Sequence, residues 1–199
     1  MPSGHSTRRL AVLLPLFFPL ALAACGSEPE PIYEPLRYNY LPPIQLNVAS
    51  IAIEQRFFPS GTSPDVSGQD PVPPIEALKA MANDRLQAFG TGNKAVFAIL
   101  DASLTRENDT VIGAMSVSLS IIDDTGAPLG FAQARVQSRH SGRINALRPV
   151  LYDITRTMMS DLNIEFEYQI RRNLKPWLTE AAAPGTPVEQ TPLEQPKGT

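Results

Sequence analysis

The sequence predicts an α+β fold: a four-stranded, largely antiparallel sheet with two helices on one face, in the order β-α-β-β-β-α. Three observations predict it. Residues 95–140 contain three successive segments in which apolar residues recur at every second position. Near the C-terminus, apolar residues step by three and four for about 28 residues, or about 42 Å of helix. Upstream of both lie a run rich in β-branched residues and a shorter stretch of helical period.

The first element spans Ile44 to Phe57, IQLNVASIAIEQRF. Its apolar set runs Ile44, Leu46, Val48 and then changes phase to Ala49, Ile51, Ile53, which predicts a bulge or a strand buried on both faces. Residues 58–72, FPSGTSPDVSGQDPV, form a Pro-, Gly- and Ser-rich loop, long enough to be either functional or mobile. A helix follows from Pro73 or Pro74 to Phe89. Proline is tolerated in its first turn, Ile75, Leu78, Ala82, Leu86 and Phe89 share one face, and Gly90 stands at the stop.

The meander comes next. Ala95 to Thr105 is apolar at Val96, Ala98, Leu100, Ala102 and Leu104. Met115, Val117, Leu119 and Ile121 alternate with Ser116, Ser118 and Ser120, and Asp123-Asp124-Thr125-Gly126 makes a turn. Phe131 to His140 places Ala132, Ala134 and Val136 on one face and Gln133, Arg135, Gln137 and Arg139 on the other. One apolar and one polar face mean that helices cover a single side. The last helix, about Asn145 to Leu174, carries Leu147, Leu151, Ile154, Met158, Leu162, Phe166, Ile170 and Leu174 in one stripe, and Lys175-Pro176 ends it. The tail has no apolar period and reads as disordered.

The N-terminus carries the most specific signal. Arg8 and Arg9 precede an apolar run from Leu10 to Ala24, interrupted by Pro15 and Pro19. The run is too short to span a bilayer, which takes about 20 residues, and reads as a removable export signal. It ends in Leu22-Ala23-Ala24-Cys25, which resembles the bacterial lipobox and so implies cleavage and lipidation at Cys25, the only cysteine of the chain. An ordinary signal peptide ending by chance in cysteine is the bland alternative. Small side chains let a peptidase close on the bond between Ala24 and Cys25, and a thiol is the side chain able to take a diacylglyceryl group as a thioether. The domain plan is therefore residues 1–24 as signal peptide, 25–43 as lipidated cysteine and Pro-rich tether, 44–178 as a periplasmic domain and 179–199 as tail. The tether, GSEPEPIYEPLRYNYLPP after Cys25, favours extended chain at about 3.1 Å per residue, a reach of about 50 Å. Tyr33, Tyr38 and Tyr40 are unusual in a spacer and are expected to pack on the domain, with partner contact as the alternative.

Composition excludes several classes. The chain has 17 Lys and Arg against 20 Asp and Glu, a net charge of -3, and loss of Arg8 and Arg9 with the signal makes it more acidic still. Such a chain has no electrostatic reason to bind nucleic acid. With Cys25 spent on lipid, His140 is the only histidine after the signal, so no Cys/His metal site is expected and no cofactor is implied. Neither a Walker loop nor a nucleophile elbow is present. Asp123 and Asp124 are explained as turn residues, Glu165 and Glu167 as solvated helix residues, and Asp101 as an exposed or hydrogen-bonded carboxylate in an apolar strand. The expectation is a protein without enzymatic activity. The strip Gln133, Arg135, Gln137 and Arg139 is the candidate binding face, suited to an anionic partner, against the plain alternative of a wet sheet face.

Leu22 to Cys25 resembles the bacterial lipobox, and this element order behind a lipobox resembles the lipopolysaccharide-assembly lipoprotein that plugs the outer-membrane translocon. That resemblance covers about residues 44–178 as element order alone. The Gly-Phe/Trp-x-Leu-Arg stretch that follows the cysteine in that family is absent, so no binding residue carries over. Auxiliary lipoproteins of lipid-transport ABC systems and lipoprotein activators of cell-wall synthases have similar layouts, and the sequence also looks like uncharacterised alphaproteobacterial lipoproteins. The resemblance to lipoproteins implies a palmitate-bearing anchor, and Gly26, where aspartate would signal inner-membrane retention, implies transport to the outer membrane, facing the periplasm. The expected partners are the membrane, through the lipid, and an envelope protein, with room for a small-molecule or lipid ligand. A lipid-binding role would require a greasy pocket between sheet and helices with its mouth near Phe57 and Phe58. A hydrolase acting on envelope material would require acidic groups converging near Asp101 or His140.

Overall fold

Pairing, rather than propensity, decides where the first strand ends in the computed structural model, which describes residues 31–178. The expected strand over Ile44–Phe57 is split. β1 (Ile44–Leu46) and β2 (Ser50–Gln55) belong to different sheets, and the phase change at Val48–Ala49 marks the break. The Asn47 amide donates to the Trp177 carbonyl at 2.7 Å and the Ala49 amide to the Gly92 carbonyl at 3.0 Å, so each side of the break has its own partner. The signal segment, Cys25 and the tail from residue 179 lie outside the described residues.

α1 (Pro74–Arg85) also stops earlier than its apolar period, which runs to Phe89. Leu86 turns to extended backbone (φ -98, ψ 128), and β3 (Leu86–Ala88) pairs in parallel with β1 in the register Ile44↔Leu86 to Leu46↔Ala88. Strand pairing gives these backbone groups partners that another helical turn would have denied to β1. Gly90 then serves close approach rather than a helix stop. A Cβ there would lie 2.6 Å from the backbone carbon of Asn47 and the amide of Val48.

β4 (Lys94–Glu107), β5 (Thr110–Ile122) and β6 (Pro128–Ser141) form the expected meander, and β2 adds in parallel to β4 to give the order β2-β4-β5-β6. A parallel neighbour needs a crossover, supplied here by the loop and α1. The sheet is mixed and largely antiparallel. Its helix-facing side meets α2 (Leu147–Asn173) along β6 and β5. Both helices join one hydrophobic cluster that includes Leu78 and Met81 of α1, Met158, Leu162 and Phe166 of α2, and Phe97, Met115 and Leu119 of the sheet. The Phe97 and Phe166 rings meet edge-on at 5.5 Å.

The face of β4 corrects the sequence reading. The core takes Ala95, Phe97 and Ile99, then, after a register shift between Ile99 and Asp101, Ala102 and Leu104. The expected set Val96, Ala98 and Leu100 lies on the other side, and only Ala102 and Leu104 keep their assigned face. A bulge adds one residue to β4 and so exchanges its faces. It falls where β2 departs: the amides of Arg56 and Phe57 both donate to the Ile99 carbonyl.

The loop of residues 58–72 takes over that edge. The Val66 amide donates to the Leu104 carbonyl at 2.9 Å, the Arg106 amide to the Pro64 carbonyl at 2.8 Å, and the Ser67 hydroxyl accepts from the Leu104 amide at 2.9 Å. A 3-10 turn over Ser67–Gln69 follows, and Val66 enters the core. The loop is thus a non-repetitive extension of the sheet. Among the described residues no helix is long and apolar enough to cross a membrane.

Candidate functional site

Gln133, Arg135, Gln137 and Arg139 alternate along β6, and all four side chains are exposed, on the face away from α2. Across the sheet Gln133 stands opposite Ser118 and Arg135 opposite Ser116, which in turn faces Asp101 on β4. Ser116 and Ser118 are buried, so the strip stands over a floor of short hydroxyls. Gln133 Nε2 donates to Ser116 Oγ at 3.2 Å.

Asp101 belongs to this face. Its Oδ1 accepts from the Ser103 amide at 3.1 Å, and its Oδ2 lies 3.9 Å from the Arg135 guanidinium. With Arg135 62% exposed, the pair is a weak, solvent-screened contact of well under about 1 kcal/mol. It nevertheless offsets part of the positive charge of the strip. What the geometry provides is an extended polar surface that can hydrogen-bond, with its cationic character concentrated toward Arg139.

His140 points to the opposite face. It lines a shallow cavity of about 210 Å³ with Ser138, Arg139, Val150, Asp153, Ile154 and Thr157. A serine, a histidine and an aspartate therefore share one hollow. Among the described residues no hydrogen bond links Ser138, His140 and Asp153, and Asp153 is paired with Arg156 at 3.3 Å instead. A nucleophile, its base and the base's orienting group must be linked to act as a relay, and these three are not. A second hollow, about 260 Å³, is lined by Phe57, Phe58, Ser60, Pro64, Asp65, Ser103 and Thr105. It lies between the loop and the sheet edge, not between sheet and helices as a lipid pocket was expected to. No group of three or more His, Cys, Asp or Glu able to hold a metal ion occurs among the described residues.

The strongest electrostatics were not anticipated. Arg85 is 1% exposed at the end of α1. Its guanidinium donates to Glu167 Oε2 at 2.5 Å, to Asn163 Oδ1, and through Nε to the Pro42 carbonyl at 3.1 Å. Glu167 also accepts from Arg171 at 2.7 Å. Glu167 is therefore a partly exposed but ion-paired residue rather than a simply solvated one. Partial burial pushes its carboxyl up, but hydrogen bonds from Arg171 and Arg85 outweigh this and hold it below its ordinary value. One residue earlier, Asp84 accepts from the Arg37 guanidinium at 2.8 and 2.5 Å and from the Tyr38 amide at 2.8 Å.

Asp70, buried in the loop, accepts from the Thr155 hydroxyl at 2.6 Å and the Val72 amide at 3.0 Å, which pins the loop to α2. Burial raises its carboxyl above the ordinary value against the opposing pull of these bonds and of the Arg148 charge. A raised folded-state pKa contributes stability that is complete below the unfolded value and lost as pH rises through the folded value. Asp70→Asn keeps an acceptor for the Val72 amide and abolishes that loss. Relative to wild type, Asp70→Asn is therefore expected to gain stability as pH rises from about 4, reaching a plateau above the folded pKa. Urea unfolding of both proteins at a series of pH values checks this, and a difference that does not change with pH would contradict it.

No protein-family model matches the chain, and no curated protein matches it. Among solved structures, the chain is similar to a minor lipoprotein from Acinetobacter baumannii at 16% identity and a TM-score of 0.37, covering 64% of this chain and 96% of that one. It is also similar to a chain from Caulobacter crescentus described as a lipoprotein, at 15% identity and a TM-score of 0.30, covering 44% and 68% respectively. Likeness at these scores fixes neither a fold family nor a role.

Proposed function

We propose that this chain is a lipid-anchored, non-enzymatic protein of the bacterial envelope, held on the periplasmic face of the outer membrane, whose domain acts as an accessory or scaffold subunit in envelope assembly. The observation that carries the anchor is Cys25, the only cysteine, placed directly after the basic and apolar leader, Leu22 and the small residues Ala23-Ala24. Burying acyl chains contributes about 0.8 kcal/mol per methylene, so two or more chains hold a protein durably. The candidate partner surface is the strip Gln133, Arg135, Gln137 and Arg139, with its exposed side chains on an edge strand paired to β5. A protein partner fits this surface better than a catalytic role fits the His140 hollow, where the reactive groups are not linked.

The hollow beside Phe57 and Phe58 favours a second reading, an auxiliary lipid-binding component of a transport system. At about 260 Å³ it would take part of one acyl chain or a small headgroup, below the roughly 300–1,000 Å³ of drug-sized ligand pockets.

Cys25→Ser tests the anchor. Wild type is expected in the membrane fraction with acyl mass on the mature N-terminal residue, and Cys25→Ser is expected to lose both the acyl mass and nearly all membrane retention. An unmodified Cys25 in wild type would refute the anchor. Affinity purification from detergent-solubilised envelopes then separates the two roles. Recovery of an envelope protein supports the scaffold, whereas recovery of lipid alone supports the second reading.

A further inference from the structure

We propose that residues 33–42 are a strap clasped to both helices, which leaves a leash of only seven residues between Cys25 and the domain and so holds the near end of the domain close to the membrane that carries the lipid. The inference rests on the lipid-anchor reading above.

The composition of this stretch suggests a free spacer, yet its residues are fastened at four points by partners distant in sequence. The Tyr33 ring packs against Tyr152 with centroids 5.1 Å apart, and the Arg148 guanidinium sits 5.9 Å from its centre. The Tyr152 hydroxyl donates to the Glu34 carbonyl at 3.1 Å. Asp84 takes two bonds from Arg37 and one from the Tyr38 amide, and Tyr38 itself is buried. Arg85 holds the Pro42 carbonyl. The last two residues of α1 thus grip one half of the strap, while the first turns of α2 grip the other.

Chain length then sets the reach. Eight residues from Cys25 to Tyr33 span at most about 28 Å in any conformation, whereas the 19 residues from Cys25 to Ile44 would span about 65 Å. The clasp more than halves the fully extended span. It also fixes where the leash enters the domain: beside Arg148 and Tyr152, at the end of α2 that packs near the C-terminal part of β6. Of the candidate strip, Arg139 is the member nearest that end, and Gln133 the most distant.

The test uses the acylated full-length chain, purified from envelopes and reconstituted on supported bilayers of phosphatidylethanolamine and phosphatidylglycerol. Neutron reflectometry gives the distance of the protein layer from the bilayer, and hydrogen exchange reports on the Tyr38 amide. Asp84→Ala and, separately, Arg37→Ala, each combined with Tyr152→Ala to release Tyr33 and Glu34, are expected to expose that amide while core protection stays intact. The free length then runs to Pro42, and ideal-chain averages for 8 and 17 residues are about 16 and about 23 Å, so the layer should move outward by roughly 7 Å and broaden. Unchanged layer distance in variants that have lost Tyr38 protection would overturn the leash, and unchanged protection in both variants would overturn the clasp. Acylated wild type whose layer already lies beyond the short leash would overturn it as well. Protein that carries no acyl group and fails to bind the bilayer would instead refute the anchor reading, and the proposal with it.

Discussion

Glu167→Ala lowers the stability of the domain by about 3 kcal/mol, while Arg85→Met, which removes the other partner of the same ion pair, costs only about 1 kcal/mol. The asymmetry follows from burial. The Arg85 side chain is 2% exposed, and that of Glu167 is 32% exposed. Without Glu167 the guanidinium remains buried with only neutral oxygens from Asn163 and Pro42, and an uncompensated buried charge is the costly outcome. The value sits at the low end of the range for broken buried pairs because the exposed carboxylate is already screened. Without Arg85, Glu167 keeps Arg171 and its contact with water, and methionine refills most of the space. For a domain of this size Glu167→Ala should lower Tm by roughly 6–12 °C. Thermal unfolding of the two variants and of the double variant measures this, and equal losses would mean that the pair is worth no more than its packing.

Arg85 was legible in the sequence, although the sequence reading passed over it. It lies three residues after Ala82 and so falls on the apolar stripe of Ile75, Leu78 and Ala82. An arginine on a buried stripe needs an anion, and Glu167, four residues from Asn163 on the long helix, is the one that meets it. Helical period alone could not identify that partner, since the contact joins residues 82 positions apart. The meander and the long helix were readable because each rests on a local period repeated many times. The strip on β6 was readable for the same reason, whereas of the three tyrosines expected to pack on the domain Tyr33 and Tyr38 do so and Tyr40 is 74% exposed.

The failures share a physical cause. β1 and β3 are three residues each and exist because each gives the other backbone partners, so neither carries a periodic signal. The loop of residues 58–72 has turn composition because it must bend, but its backbone pairs with Leu104 and Arg106 across the sheet. Tertiary pairing overrode local preference in each case.

Phe97→Ala is expected to cost about 3–5 kcal/mol, and Val96→Ala about 1 kcal/mol or less, although the plain alternation of β4 assigns Val96 to the core. Phe97 is fully buried and bridges the sheet to α2 through Phe166, so truncation opens a cavity at the junction of two elements that cannot easily close around it. Val96 is buried too, but on the other face beside Ser120 and Ala52 and outside the main cluster, where losing two methyl groups leaves a smaller cavity than losing a phenyl ring. The difference depends on the bulge between Ile99 and Asp101. Without it, the faces implied by Ala102 and Leu104 would run unbroken through the strand, bringing Val96 and Ala98 inside and turning Phe97 out. Denaturant unfolding of the two variants therefore measures the phase of β4 directly. A larger loss for Val96→Ala would place the bulge elsewhere and move Asp101, with its contact to Arg135, off the face that carries the candidate strip.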